Sequence, residues 1–90
     1  MMKVLEKVIV SKVELDNGII FEVGNHYGDG LVTGIEIGND FEKEIEGWEF
    51  EDEDSNEVSY KDVVCLLQIE DRGEGWVIYI SKEGRDLMEI

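Results

Sequence analysis

Val8-Ile9-Val10-Ser11-Lys12-Val13-Glu14-Leu15-Asp16-Asn17-Gly18-Ile19-Ile20-Phe21-Glu22-Val23 contains two apolar-rich, largely alternating runs on either side of a turn. A two-residue Asn-Gly turn would set Glu14 opposite Phe21 and Val13 opposite Glu22, mixing apolar and charged side chains on each face. A three-residue loop with Gly18 in the left-handed conformation instead pairs Leu15 with Ile19 and Val13 with Phe21, which keeps one face apolar. The stretch therefore predicts a β-hairpin closed by Asp16-Asn17-Gly18.

Outward from this hairpin, Gly24-Asn25-His26-Tyr27-Gly28-Asp29-Gly30 is too rich in glycine for helix or strand and is expected to be an exposed loop. Residues 31–37 read as a strand with Leu31, Thr33, Ile35 and Ile37 on one face and Gly34 marking a bend or close backbone approach. Beyond the Gly38-Asn39-Asp40 turn, Asn39 and Glu42 have capping-box spacing, Phe41 and Ile45 lie four apart, and Gly47 supplies a stop. A strand over 43–50, with Ile45 on one face and Trp48 and Phe50 on the other, competes. We take one short helical turn near residues 40–46, then a strand from about residue 47.

Residues 51–56 form a polar hairpin loop, 57–60 a returning strand, and 63–69 a long apolar strand expected to be central and buried on both faces. After a turn at 71–75, residues 76–81 make another strand, and 82–84 lead to a terminal segment at 86–90. Some seven short strands with glycine turns, no proline and no repeat predict a mainly β chain, folded as a small antiparallel barrel or strongly bent sheet.

With 90 residues the chain has room for one domain over 1–90, and folding buries only about 60–65% of its surface. A hydrophobic content of 42% places it among globular sequences. Cys65 is the single cysteine, set in the apolar run Val63-Val64-Cys65-Leu66-Leu67, and reads as a buried thiol with no partner for a disulfide. Residues 1–7 carry no apolar leader core, and no stretch reaches the ~20 apolar residues of a membrane span. A cytoplasmic setting is expected.

The order of hairpin, Phe21-Glu22-Val23-Gly24, glycine-rich loop, Val32-x-Gly34-Ile35, acidic insert and Val58-Ser59-Tyr60-Lys61-Asp62-Val63 resembles small SH3-like barrels, including short ones encoded by phages and their bacterial hosts. The resemblance covers roughly residues 8–69 and implies an antiparallel SH3-like barrel that binds another protein. The chain departs from signalling SH3 domains. It has no Ala-Leu-Tyr-Asp-Tyr opening, Trp48 and Trp76 stand apart, and Tyr27 is the only tyrosine of the loop, so proline-peptide recognition is not implied.

Twenty-three acidic residues against eight Lys and Arg give a formal charge of −15, which argues against direct nucleic-acid binding, because phosphate binding needs basic side chains. Paired carboxylates are too abundant here to point to acid–base catalysis. His26 is the only histidine and has no Cys or Ser at a catalytic spacing, so it reads as a loop residue. Asp52-x-Asp54-x-Asn56 starts like an EF-hand, but Glu57 occupies the required glycine position and Val63 the bidentate glutamate position. No cofactor motif, metal site or catalytic set is expected, and we read the chain as a non-enzyme.

Residues 40–62 concentrate acids around aromatic side chains. Such a block forms either a solvated face or an interface in which aromatics supply contact and carboxylates steer a basic partner. The candidate partner-binding residues are Glu46, Trp48, Glu49, Phe50, Glu51, Asp52, Glu53, Asp54, Glu57 and Tyr60. Two readings of function follow. In one, the protein is a phage-type inhibitor or modulator that mimics nucleic acid and occupies the basic site of a host enzyme. In the other it is an SH3-like structural or adaptor module that binds a peptide or a second copy of itself, its acidity serving solubility.

Overall fold

A computed structural model of the chain describes residues 8–90, with the backbone alone at Val8, Asn39 and Asp40. The leader reading of residues 1–7 lies outside the described residues. The first predicted strand is divided at Ser11 into β1 (Val8–Val10) and β2 (Lys12–Glu14). The Asp16-Asn17-Gly18 loop then leads into β3 (Ile20–Glu22) as expected: Val13 lies opposite Phe21, Gly18 has φ 90°, and the Leu15 amide donates to the Ile19 carbonyl at 2.8 Å.

The glycine-rich stretch is more ordered than a plain loop. His26–Tyr27 forms a two-residue strand, β4, that folds back on the start of β5 (Gly30–Ile37), turning through Gly28 at φ 60°. Glycine is needed at Gly30 for space, since a Cβ there would collide with the Ile69 side chain. Next comes α1 (Asn39–Glu44), a six-residue helix whose cap position belongs to Gly38 without a side-chain cap. Asn39, expected as the cap, is instead the first helical residue, so the capping-box expectation is corrected.

The chain continues through β6 (Glu49–Glu51) and β7 (Glu57–Ser59). The strand expected over 57–60 stops at Ser59, and Tyr60 joins Lys61 and Asp62 in a single 3₁₀ turn capped by the Ser59 hydroxyl, which accepts from the Lys61 amide. It leads into β8 (Val63–Asp71), β9 (Glu74–Ser81) and β10 (Asp86–Glu89).

These strands make one long antiparallel sheet in the order β1-β5-β8-β9-β10-β6-β7, with β4 also on β5 and the β2–β3 hairpin separate. The sheet is strongly bent and not closed into a barrel. Two bulges produce part of the bend. Thr33 is an extra residue between Val32 and Gly34 opposite β8, and Val64 is an extra residue between Val63 and Cys65 opposite β9.

The first bulge corrects the face expected for residues 31–37. Val32 and Ile35 are buried, whereas Leu31 and Thr33 face out. Gly34 is in fact the close approach, since an added Cβ would sit 2.8 Å from the Gln68 carbonyl oxygen Oε1.

The central strand β8 is buried on both faces and divides two cores. Cys65, Leu67 and Ile69 join Ile35, Ile80 and the hairpin residues Leu15 and Phe21 on one side. On the other, Leu66 packs with Phe41 of the helix, Ile45 just after it, Phe50 of β6 and Leu87 of β10. The Val64 bulge lets Val63 switch sides and join this second core. Phe50 reaches Leu66 although β6 stands three places from β8 in the sheet order, so the sheet must curl back over α1.

Candidate partner-binding site

Wherever strands of unequal length are paired, the longer one keeps an uncovered portion, and here that portion lies on β9. β10 meets β9 only at Asp86↔Ile80 and Leu87↔Tyr79, then diverges and pairs with β6 at Met88↔Glu51 and Glu89↔Phe50. The strands part like the arms of a V, and the opening is a groove of about 530 Å³. Trp76, Val77, Ile78, Leu87 and Met88 give it an apolar lining, while Glu51, Asp52, Glu53 and Asp86 bring carboxylates. Trp76, Val77 and Met88 are 43%, 50% and 66% exposed, a large apolar display for so acidic a chain.

The two aspartates here differ in kind. Asp52 is a structural brace for the β6–β7 loop: one carboxylate oxygen accepts the amides of Asp54 and Asn56, both at 2.9 Å, and the other accepts from the Asn56 side chain. Its side chain is only 7% exposed, and the Asn56 backbone hydrogen bond is the main cause that holds its pKa below the ordinary value. Arg85 donates to Asp54 at 3.0 Å and lies 3.7 Å from Asp52, so the cation nearest the loop is already engaged. Asp86, in contrast, has carboxylate oxygen Oδ1 buried with no hydrogen-bond partner among the described residues, and desolvation pushes its pKa up.

The structure splits the candidate residues. Glu51, Asp52 and Glu53 border the groove just described. Trp48, Glu49, Phe50, Glu57 and Tyr60 line a second, shallower one of about 400 Å³ on the other side of β6. Glu46 is exposed after α1, and Asp54 is drawn to Arg85.

The proposed role of Phe50 as an exposed anchor is corrected. Its ring is 0% exposed, packing against Tyr79 at 5.2 Å, because the curled sheet turns that face of β6 into the second core. Trp48 is half-buried in the same aromatic group, edge-on to Tyr79 at 6.1 Å, so its first duty is packing. Within the acidic stretch, β6 and β7 form a hairpin whose loop is braced by Asp52.

Sequence reasoning missed Trp76, Val77, Asp86 and Met88. Read alone, Trp76-Val77-Ile78-Tyr79-Ile80 looks like a strand covered on both faces. The sequence carries no signal for them, because the strand expected over 76–81 and the terminal segment at 86–90 are nearly equal in length, and the mismatch appears only with the observed bounds of β9 and β10.

Elsewhere, exposed His26 shares a shallow depression of about 300 Å³ with Asp29, Leu31, Glu70, Asp71 and Arg72. Cys65 is buried in the first core, where desolvation pushes the thiol up to about 12 and leaves it unreactive. Among the described residues no group of three His, Cys, Asp or Glu is placed to hold a metal ion, and no helix is long and apolar enough to cross a membrane. No family model matches the chain, and no curated protein or solved structure matches it either.

Proposed function

We propose that the protein is an acidic protein-binding module that takes a basic segment of a partner into the groove between β9 and β10. The observation that carries this reading is the combination of exposed Trp76, Val77 and Met88 with Glu51, Glu53 and Asp86 at one opening. Apolar side chains supply contact area there, and the carboxylates set the sign of the partner and speed its approach. The single free thiol fits a cytoplasmic setting, and the bent antiparallel sheet fits a kinship with small SH3-like barrels of the phage and bacterial type.

A finer reading draws on the net charge of −15, carried on a body of 32 × 32 × 24 Å. Such a density suits an inhibitor that occupies the nucleic-acid site of a host enzyme.

Both readings are tested by capturing partners from bacterial lysate on the immobilised protein and on its Glu51→Lys/Glu53→Lys variant. Asp52 is left intact because it braces the loop. The expected result is a basic protein that the wild type holds, moderate salt releases, and the variant retains at least tenfold less well. Equal retention by the variant overturns the groove as the site. Displacement of the partner by added duplex DNA supports mimicry, and its failure to displace removes mimicry while leaving the module reading in place.

A further inference from the structure

The groove has backbone walls as well as side-chain ones. The Ser81 amide donates to the Arg85 carbonyl at 3.0 Å, so at Ser81 the backbone polar groups of β9 face β10. Backbone direction alternates along an antiparallel strand, so Tyr79, Val77 and Gly75 face the same way. Tyr79 meets Leu87, but β10 has turned away by the next position, and no described strand pairs with Val77 or Gly75 on that side.

Across the opening, the Ile90 amide donates to the Glu49 carbonyl at 2.8 Å, so Ile90 faces β6. Its neighbour Glu89 must then turn its own amide and carbonyl toward β9. Two unsatisfied strand edges therefore face each other across an acid-bordered apolar floor.

Resting on the module reading above, we propose that the occupant is an extended basic segment of a partner protein that adds as a strand to the Gly75–Val77 edge of β9 and directs a Lys or Arg head group to Asp86. The charge of the site selects the occupant: Glu51, Glu53 and Asp86 attract a cation and repel a second copy of a chain that carries −15. Unpaired edges recruit strands because an added strand satisfies each exposed amide and carbonyl. Asp86 lines the groove, and no ion pair engages its carboxylate among the described residues, so an ammonium or guanidinium entering there would supply the missing cation. On the face of Asp86, the stem of such a side chain would cover Ile78 and Met88, with the exposed Trp76 indole available for a cation–π contact.

The probe is the acetylated, amidated hexapeptide of alternating Lys and Val, added to the whole labelled protein at low salt. Hydrogen exchange of single amides is followed, together with affinity by fluorescence anisotropy. The Val77 amide is expected to gain at least tenfold protection, while Trp76 and Ile78, which face β8, stay unchanged. Twin peptides N-methylated at every second residue keep the charge and lose donors along one edge, and at least one of the two phases should bind tenfold more weakly. Asp86→Asn should also bind at least tenfold more weakly while raising the thermal midpoint, a pairing that loss of a purely structural contact would not give.

Equal binding by both methylated twins overturns strand addition and leaves the acidic groove standing. Unchanged peptide affinity in Glu51→Lys/Glu53→Lys overturns the groove itself and both readings with it. No binding of the hexapeptide to the wild type overturns strand addition alone, since the lysate capture judges the module reading independently.

Discussion

Asp52 and Asp86 border the same groove, and their environments push their proton affinities in opposite directions. Asp52 is lowered, chiefly by the hydrogen bond from the Asn56 amide. Its stabilising contribution is therefore fully present above the ordinary aspartate pKa of about 3.9 and is lost as pH falls toward its folded value. Asp86 is raised by desolvation, so the folded state holds its proton more tightly than the unfolded chain does. Stability then falls as pH rises from the unfolded value through the folded one. We expect Asp52→Asn to lower the thermal midpoint at pH 7 and speed exchange of the Asn56 amide about tenfold, the loss expected for charge-assisted hydrogen bonds. Asp86→Asn should raise the midpoint at pH 7 and leave it unchanged near pH 3. A midpoint for Asp86→Asn at or below wild type at pH 7 contradicts the desolvation argument.

Among the elements, α1 shows how far a local pattern can be trusted. Six residues are too few to hold a helix in water, so its persistence depends on Phe41 and Ile45 in the second core. Phe41→Ala should cost about 3–5 kcal/mol, as for other fully buried aromatics. Chemical denaturation should show the whole domain weakened, not the helix alone melting away. The spacing of Phe41 and Ile45 was legible because both contacts lie on one side of one turn, and the β2–β3 loop was legible because Val13, Leu15 and Phe21 must share a face. The face of β5 was not, because the bulge at Thr33 is set against Gln68, 35 residues away. Phe50, expected as an anchor of the interface, is core instead, since period two says which residues share a face but not what covers it. The groove depends on a mismatch between β9, with eight residues, and β10, with four, and only their pairing reveals it.

For the molecule as a whole, charge and size set the scale of self-repulsion. At ~0.01 M salt the screening length is about 30 Å, comparable with the 32 Å breadth of the body, so acids on every side repel one another. At ~0.15 M it shrinks to about 8 Å and only near neighbours interact. The thermal midpoint should rise by several degrees between these two salt concentrations, measured by circular dichroism. A midpoint that stays constant would mean that the ion pairs of Arg85 with Asp54 and of Lys82 with Asp62 are representative of the surface instead of exceptions.

The uncovered half of β9 has a consequence for the life of the protein in a crowded solution. Exposed strand edges with apolar side chains are templates for amyloid-like stacking, and natural proteins commonly blunt them with charge. Here the carboxylates act as gatekeepers, and they do so only while ionised. The sequence pI is about 4.1, so in mild acid the electrostatic guard is withdrawn just where Trp76, Val77 and Met88 stay bare. Insolubility on acidification would then start at this seam, and the acidity of the chain would be what keeps an open strand edge from recruiting other strands.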